Sequence, residues 1–108
     1  MPSSPLFRVD VQPERERVRV IPRGELDLNT IPQLETQIEA LRSGGFRRIV
    51  LDLRQLTFMD STGLRLLLEL DAESRADGFR FAIIDGEGPV RRLLQLTGIE
   101  DRFEHADG

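Results

Sequence analysis

The sequence predicts an α/β domain: a mixed β-sheet of four to five strands with helices packed against it, in the order β-β-α-β-α-β-α-β. Three observations predict it. Apolar residues switch repeatedly between a period of two and a period near 3.6. Two alternating segments open the chain and are separated by a short polar turn, as in an antiparallel hairpin. After them, strand-like and helix-like segments alternate, which places some strands in parallel through right-handed crossovers. A chain of 108 residues, 39% of them hydrophobic, is enough for one such domain and one core.

Residues 1–5 are expected to be disordered. From Leu6 to Val11, Phe7, Val9 and Val11 fall on one face and Arg8 and Asp10 on the other, the pattern of a half-buried strand. Gln12 to Glu16 is a polar turn. Arg17 to Ile21 alternates again, with Val18 and Val20 inward. Pro22 to Asn29 breaks the alternation and reads as a strand end and a loop. Thr30 then offers a helix N-cap, with Gln33 as its capping-box partner and Pro32 in the first turn. Ile31, Leu34, Ile38 and Leu41 follow at helical spacing, and Ser43-Gly44-Gly45 stops the helix. Ile49 to Leu53 is nearly all apolar, as expected for a central strand covered on both faces. A short turn leads to a second helix, from about Ser61 to Ala76, ended by Asp77-Gly78. Phe79 to Ile84 is another strand. Pro89 opens a third helix with Val90, Leu93, Leu94 and Leu96 apolar and Gly98 beyond its end. Ile99 to His105 has room for a short edge strand, and residues 106–108 form a tail.

Composition excludes several functions. The net charge is −4, which argues against an electrostatic nucleic-acid surface. There is no Trp or Tyr, and the Phe residues do not form a stacking platform. Cysteine is absent, so disulfides, thiolate chemistry and Cys-based zinc sites are excluded. The single His, His105, cannot build a His-rich metal site. No cofactor is expected. Met1-Pro2-Ser3-Ser4-Pro5 lacks the features of a signal peptide, and no run reaches membrane-spanning length. The expectation is a cytoplasmic, soluble monomer that contacts neither membrane nor nucleic acid directly. All fifteen basic residues are Arg. Without Lys there is no P-loop, although Gly86-Glu87-Gly88-Pro89 precedes a helix. A Ser61–His105–Asp triad is disfavoured, because the Gly-x-Ser-x-Gly elbow is missing and His105 falls in a polar tail.

The stretch Leu56 to Leu64 carries the distinctive chemistry. An Asp, two hydroxyls and a Gly stand where a buried strand gives way to a helix start: Asp60, Ser61, Thr62 and Gly63. The first N–H groups of a helix lack internal partners, and the helix dipole adds partial positive charge there. A hydroxyl at that point can cap the helix, and a phosphate on it would sit where the fold tolerates an anion best. An ordinary Asp or Ser cap accounts for the same residues. Glu25, Asp27, Asp52, Asp60 and Asp85 recur near strand ends. Two readings stand for them: a partner-binding acidic rim, or the common use of acids where strands turn. Leu64 and Leu68 widen the apolar arc of the second helix beyond the usual core stripe, so they are either a contact patch beside Ser61 or plain core.

Met59-Asp60-Ser61-Thr62-Gly63-Leu64 resembles the signature of the STAS domain, and more narrowly that of the bacterial anti-sigma factor antagonists. Gly24-Glu25-Leu26-Asp27, closely followed by Thr30 and a helix, looks like that family's second motif. The Ile49–Leu53 strand, Gly78-x-x-Phe81 and Val90-Arg91-Arg92-Leu93-Leu94-x-x-x-Gly98 match in order and spacing. The resemblance spans residues 6–105. It implies a STAS-type single domain that is not an enzyme. An anti-sigma factor with serine kinase activity would phosphorylate Ser61, and a PP2C-type serine phosphatase would reset it. The unphosphorylated form would bind the anti-sigma factor and release the sigma factor. Asp27 matches a family residue beside the phosphorylation site, and Thr62 is the neighbouring hydroxyl. The resemblance thus marks Asp27, Asp60, Ser61, Thr62 and Gly63 as partner-binding, with Leu64 and Leu68 as the candidate patch around them. Family members usually finish with a further helix after the last strand, and against that pattern the helix is expected to be missing or reduced here. The alternative within the same family is a STAS subunit of a lipid-transport ATPase complex or of a stress-sensing assembly, with no kinase cycle at Ser61.

Overall fold

The structure is a computed structural model and describes residues 6–108. The expected disorder of residues 1–5 lies outside the described residues. The strands are β1 (Arg8–Pro13), β2 (Val18–Leu26), β3 (Arg48–Asp52), β4 (Leu56–Met59), β5 (Arg80–Ile84) and β6 (Glu104–His105). The helices are α1 (Ile31–Ser43), α2 (Ser61–Asp77) and α3 (Pro89–Thr97). A single turn of 3₁₀ helix, Glu100–Arg102, precedes β6. The α/β class and the three helices stand as expected from the sequence.

The sheet runs β1-β2-β3-β5-β6, and β4 pairs with β2 outside this path. β1 is antiparallel to β2, and every other pairing is parallel. β2 is the long strand, and two others share its flank. Val18 and Val20 stand opposite Ile49 and Leu51 of β3. Further along, Gly24 and Leu26 stand opposite Leu56 and Met59 of β4. Leu53, Arg54 and Gln55 make the step between β3 and β4, closed by the Leu56 N–H on the Leu53 carbonyl at 3.2 Å.

Two expectations are corrected here. The sequence suggests that the strand ends near Ile21, but β2 continues through Pro22 to Leu26. It also suggests a bare turn before the second helix, where the structure has β4, which brings the sheet to six strands. Neither strand shows clean alternation: the inner positions of β4, Thr57 and Phe58, are both exposed while its ends are buried. The pairing between β2 and β4 joins partners far apart in the chain, which local periodicity does not register. A register shift between Gly24 and Glu25 lets β2 turn toward β4. Gly24 has φ 111°, and a Cβ there would run into the Leu6 carbonyl.

Alternate residues of the central strands face the helices. Val18, Val20, Ile49, Leu51, Phe81 and Ile83 join Leu34, Leu67 and Leu94 in one core. On the other face Val50, Ala82 and Ile84 form a small patch with Ala106, and no helix contributes to it. The Ile49–Leu53 run is buried throughout, but helices cover only one of its faces. On the other face Arg19 stands opposite Val50, and its guanidinium reaches Glu14 at 2.7 Å and Asp52 at 3.4 Å. Long arginine stems shield apolar surface while their heads stay charged. Arg54 completes this cover with a two-pronged grip on Asp52, at 2.9 and 2.7 Å. The tail is tied down as well: the Ala106 N–H donates to the Ile83 carbonyl, and Arg17 donates to the Asp107 carbonyl.

Burial pushes the Asp52 carboxyl up, but the hydrogen bonds and charge of Arg54, with Arg19 behind them, hold it below its ordinary value. A carboxyl depressed in the fold stabilises it above its unfolded value and loses that contribution as pH falls through the folded one. Asp52→Asn is expected to lower stability at pH 7 by about 2 kcal/mol, the scale of charge-assisted hydrogen bonds. The gap between the two proteins should close as acid titration passes below the ordinary carboxyl value of 3.8. Urea melts of both proteins across that range check this. Gly24→Ala is expected to cost about 2–4 kcal/mol through its positive φ and the backbone clash, read as a drop in melting temperature.

Candidate functional site

β2 and β4 end side by side, and their ends build the site. Leu26 and Met59 are paired, and the Asp60 N–H donates to the Leu26 carbonyl at 3.3 Å. The chain then enters α2. Asp60 is the N-cap: its side chain accepts from the Thr62 N–H at 2.9 Å and the Gly63 N–H at 3.4 Å. Of the two cap candidates, the acid takes the role. This leaves Ser61 on the first turn, exposed, with no hydrogen bond to its hydroxyl among the described residues. Thr62 is half-buried.

Gly63 is buried where α2 comes down onto the strands. A Cβ there would meet Met59 Cγ at 2.6 Å and Leu26 Cδ2 at 3.1 Å. Its absence lets the first turn sit directly on the ends of β2 and β4. Ser61 therefore projects from a well-supported helix end.

Asp27 follows Leu26 and lies beside Asp60. Its carboxylate accepts from the Asn29 and Thr30 N–H groups at 2.9 and 3.2 Å, and its carbonyl accepts from the Ile31 N–H. Thr30 occupies the cap position of α1, but its side chain makes no capping bond. The expected capping box with Gln33 does not form. The Thr30 hydroxyl is already engaged: it donates to the Glu25 carbonyl at 2.7 Å and accepts from the Asp27 N–H at 3.0 Å. The loop between β2 and α1 is thus fixed from inside by a buried threonine.

The acids near the strand ends divide into two sets. Asp27 and Asp60 come together at the site, with exposed Glu25 opposite Phe58. Asp52 is committed to Arg54 and Arg19, and Asp85 faces His105 at 3.6 Å. His105 lies on β6, where its Nε2 is 2.9 Å from the Glu100 carbonyl. The structure does not bring it to Ser61, so no triad is assembled. A cleft of about 470 Å³ opens beside the loop, lined by Phe7, Gly24, Glu25, Asp27, Thr30 and Thr57 among others. Its charged lining is acidic, which suits neither a phosphate nor a nucleotide. Among the described residues no group of three or more His, Cys, Asp or Glu is placed to hold a metal ion. No helix there is long and apolar enough to cross a membrane.

Leu64 and Leu68 are half-buried and pack against the core while keeping part of their surface in solvent. Sequence reasoning missed two more exposed apolar residues near the site, Leu28 at 71% and Phe58 at 46% exposure. Leu28 belongs to the loop beside Asp60, and Phe58 lies two residues before it. The signal was present in Phe58, an aromatic residue where strand alternation fails.

Comparison with known proteins decides the family. The family model described as "Mlab, STAS domain" matches residues 7–104. The chain belongs to the STAS family. An anti-sigma-B factor antagonist of Staphylococcus aureus is 32% identical over 85 residues, covering 79% of each chain. The crystal structure of an anti-sigma factor antagonist from Mycobacterium paratuberculosis superposes with a TM-score of 0.81 at 28% identity, covering 99% of this chain and 92% of that one. The anti-sigma factor antagonist SpoIIAA in its unphosphorylated form gives a TM-score of 0.69 at 26% identity, over 94% of this chain and 88% of that one. The Bacillus SpoIIAA in its phosphorylated form gives 0.67 at 26% identity, over 94% and 91%. This STAS domain therefore shares its fold with regulators of sigma-factor control.

Asp60→Ala is expected to lower stability by about 1 kcal/mol, the usual value of an N-cap. Asp60→Asn keeps an acceptor for the Thr62 N–H and should recover most of that loss. Thermal melts of the two variants separate the cap from the charge.

Proposed function

We propose that this STAS domain is an anti-sigma factor antagonist switched at Ser61. The unphosphorylated form binds an anti-sigma factor and so releases a sigma factor. The anti-sigma factor, acting as a serine kinase, phosphorylates Ser61 and ends the binding. A PP2C-type serine phosphatase restores the active form. The protein acts in the cytoplasm by docking, without turning over a substrate. The observation that carries this reading is the free, exposed Ser61 hydroxyl on the first turn of α2, directly after the Asp60 cap. Relatives named as anti-sigma factor antagonists support it.

Phosphorylation adds a charge of about −1.5 to −2 at neutral pH. At a helix start, dipole and free N–H groups partly offset that charge, so the domain itself changes little. The partner surface changes greatly. There the new anion is desolvated beside Asp60 and Asp27, within an apolar surround formed by Leu64 and Leu68 with Leu28 and Phe58. A loss of roughly 100-fold in affinity is the expected order for such an interfacial charge.

The reading of the domain as a STAS subunit of a lipid-transport ATPase complex or stress-sensing assembly predicts no phosphate on Ser61. Incubation with candidate anti-sigma kinases and ATP, followed by mass spectrometry, separates the two. Ser61→Ala is expected to fold normally and bind the anti-sigma factor constitutively. Ser61→Asp should also fold normally but bind weakly. A melting temperature lower by about ten degrees in Ser61→Asp would mean that the charge acts on the fold, because so large a drop in a domain of this size reflects more than about 1 kcal/mol.

A further inference from the structure

We propose that Arg65 is the intramolecular partner of a phosphate on Ser61, so that phosphorylation both adds an anion and withdraws a free guanidinium from the docking surface. The proposal rests on the reading of Ser61 as the modified residue. Ser61 and Arg65 are four residues apart on α2, and both are exposed. That spacing puts their Cβ atoms about 5–6 Å apart on one helix face, with the anion on the N-terminal side, the favoured order. Arg65 has no hydrogen bond or ion pair among the described residues, not even with Glu69 one turn further on. Arg75 on the same helix, by contrast, is held by Asp71 at 3.2 Å.

The charge around the site makes Arg65 the natural partner. It is the one charged residue in the first eight of α2, Ser61 to Leu68. Four acids belong to the segments that meet at this helix start: Asp60 at the cap, Asp27 after the paired Leu26, Glu25 at the end of β2 and Glu69 on the next turn. A phosphate dianion is repelled by these four and attracted by Arg65 and the helix start. The guanidinium fork matches two phosphate oxygens at once. In the unmodified protein Arg65 stands free beside the Ser61 hydroxyl, available to a partner's carboxylate. Once Ser61 carries phosphate, the arginine folds over it. Ser61→Asp, with a shorter reach and a single charge, reproduces only part of this change.

The test places phosphoserine at position 61 during translation, so it needs no kinase. Phosphorus NMR then follows the second ionisation of the phosphate, near pH 6 when unperturbed. With Arg65 present, this ionisation is expected about half a pH unit below that of Arg65→Gln, a roughly threefold difference in proton affinity. Arg65→Lys should fall between them. The difference should collapse in about 1 M salt, where screening extends only a few ångströms. Circular dichroism of the unmodified variants confirms that each folds. Identical titration of the phosphate in the Arg65 protein and in the Arg65→Gln variant overturns the pairing. Failure of the switch itself reads differently: the titration difference persists while the phosphoserine protein binds the anti-sigma factor as tightly as the unmodified one.

Discussion

The alignment of β4 with the end of β2 is the constraint on which the rest depends. Leu26 faces Met59, and the Asp60 N–H closes on the Leu26 carbonyl. This pairing fixes the point at which the chain leaves the sheet and α2 begins. It also fixes the distance between α2 and the strands, because Gly63 leaves no side chain to hold them apart. The loop from Asp27 to Thr30 starts from the same strand end and is closed by its own hydrogen bonds. The site is therefore a set of short polar segments seated on a packed sheet end. Such a base suits a signal read at the surface, since a charge placed on Ser61 has no core contact to disturb.

Much of this architecture was legible in the sequence. The three helices are local and amphipathic, with proline at their entries or glycine at their exits. α3 is the clearest case, from Pro89 to Gly98 with its φ of 74°. The special character of residues 59–64 was legible too, because an acid, two hydroxyls and a glycine fall together after an apolar run. What was not legible is non-local. Pro22 read as a stop, but the strand continues past it opposite Val9. Leu56 to Met59 read as a turn, because the strand it pairs with lies far back in the chain. The role of Thr30 was also hidden. Its spacing to Gln33 is that of a capping box, but the hydroxyl serves the loop that precedes the helix. Leu28 gave no periodic signal and Phe58 only a break in one, so both emerge as exposed apolar residues once the strands are placed.

The charged residues carry out two separate kinds of work. Arg19, Arg54, Glu14 and Asp52 close the face that the helices leave open. Arg42 reaches from α1 to Glu73 and Asp77 on α2 and lies over the Phe79 ring at 4.2 Å. These groups stabilise the scaffold and are largely neutralised by one another. Asp60 and Asp27 instead direct their oxygens to backbone N–H groups, so they order the polypeptide at the site without bringing a cation to it. The surface next to Ser61 therefore combines two acids held by backbone N–H groups, half-buried leucines and the exposed cation Arg65.

The two outermost strands have a consequence for self-association. β6 is only two residues long, and β1 carries Arg8 and Asp10 and ends at Pro13. Short, charged or proline-bearing margins are poor templates for adding a strand from another molecule. At these two margins the ladder has little length or bare backbone to offer a strand from a second copy. A partner that meets either margin must therefore be chosen by side chains, because the backbone there recruits little on its own.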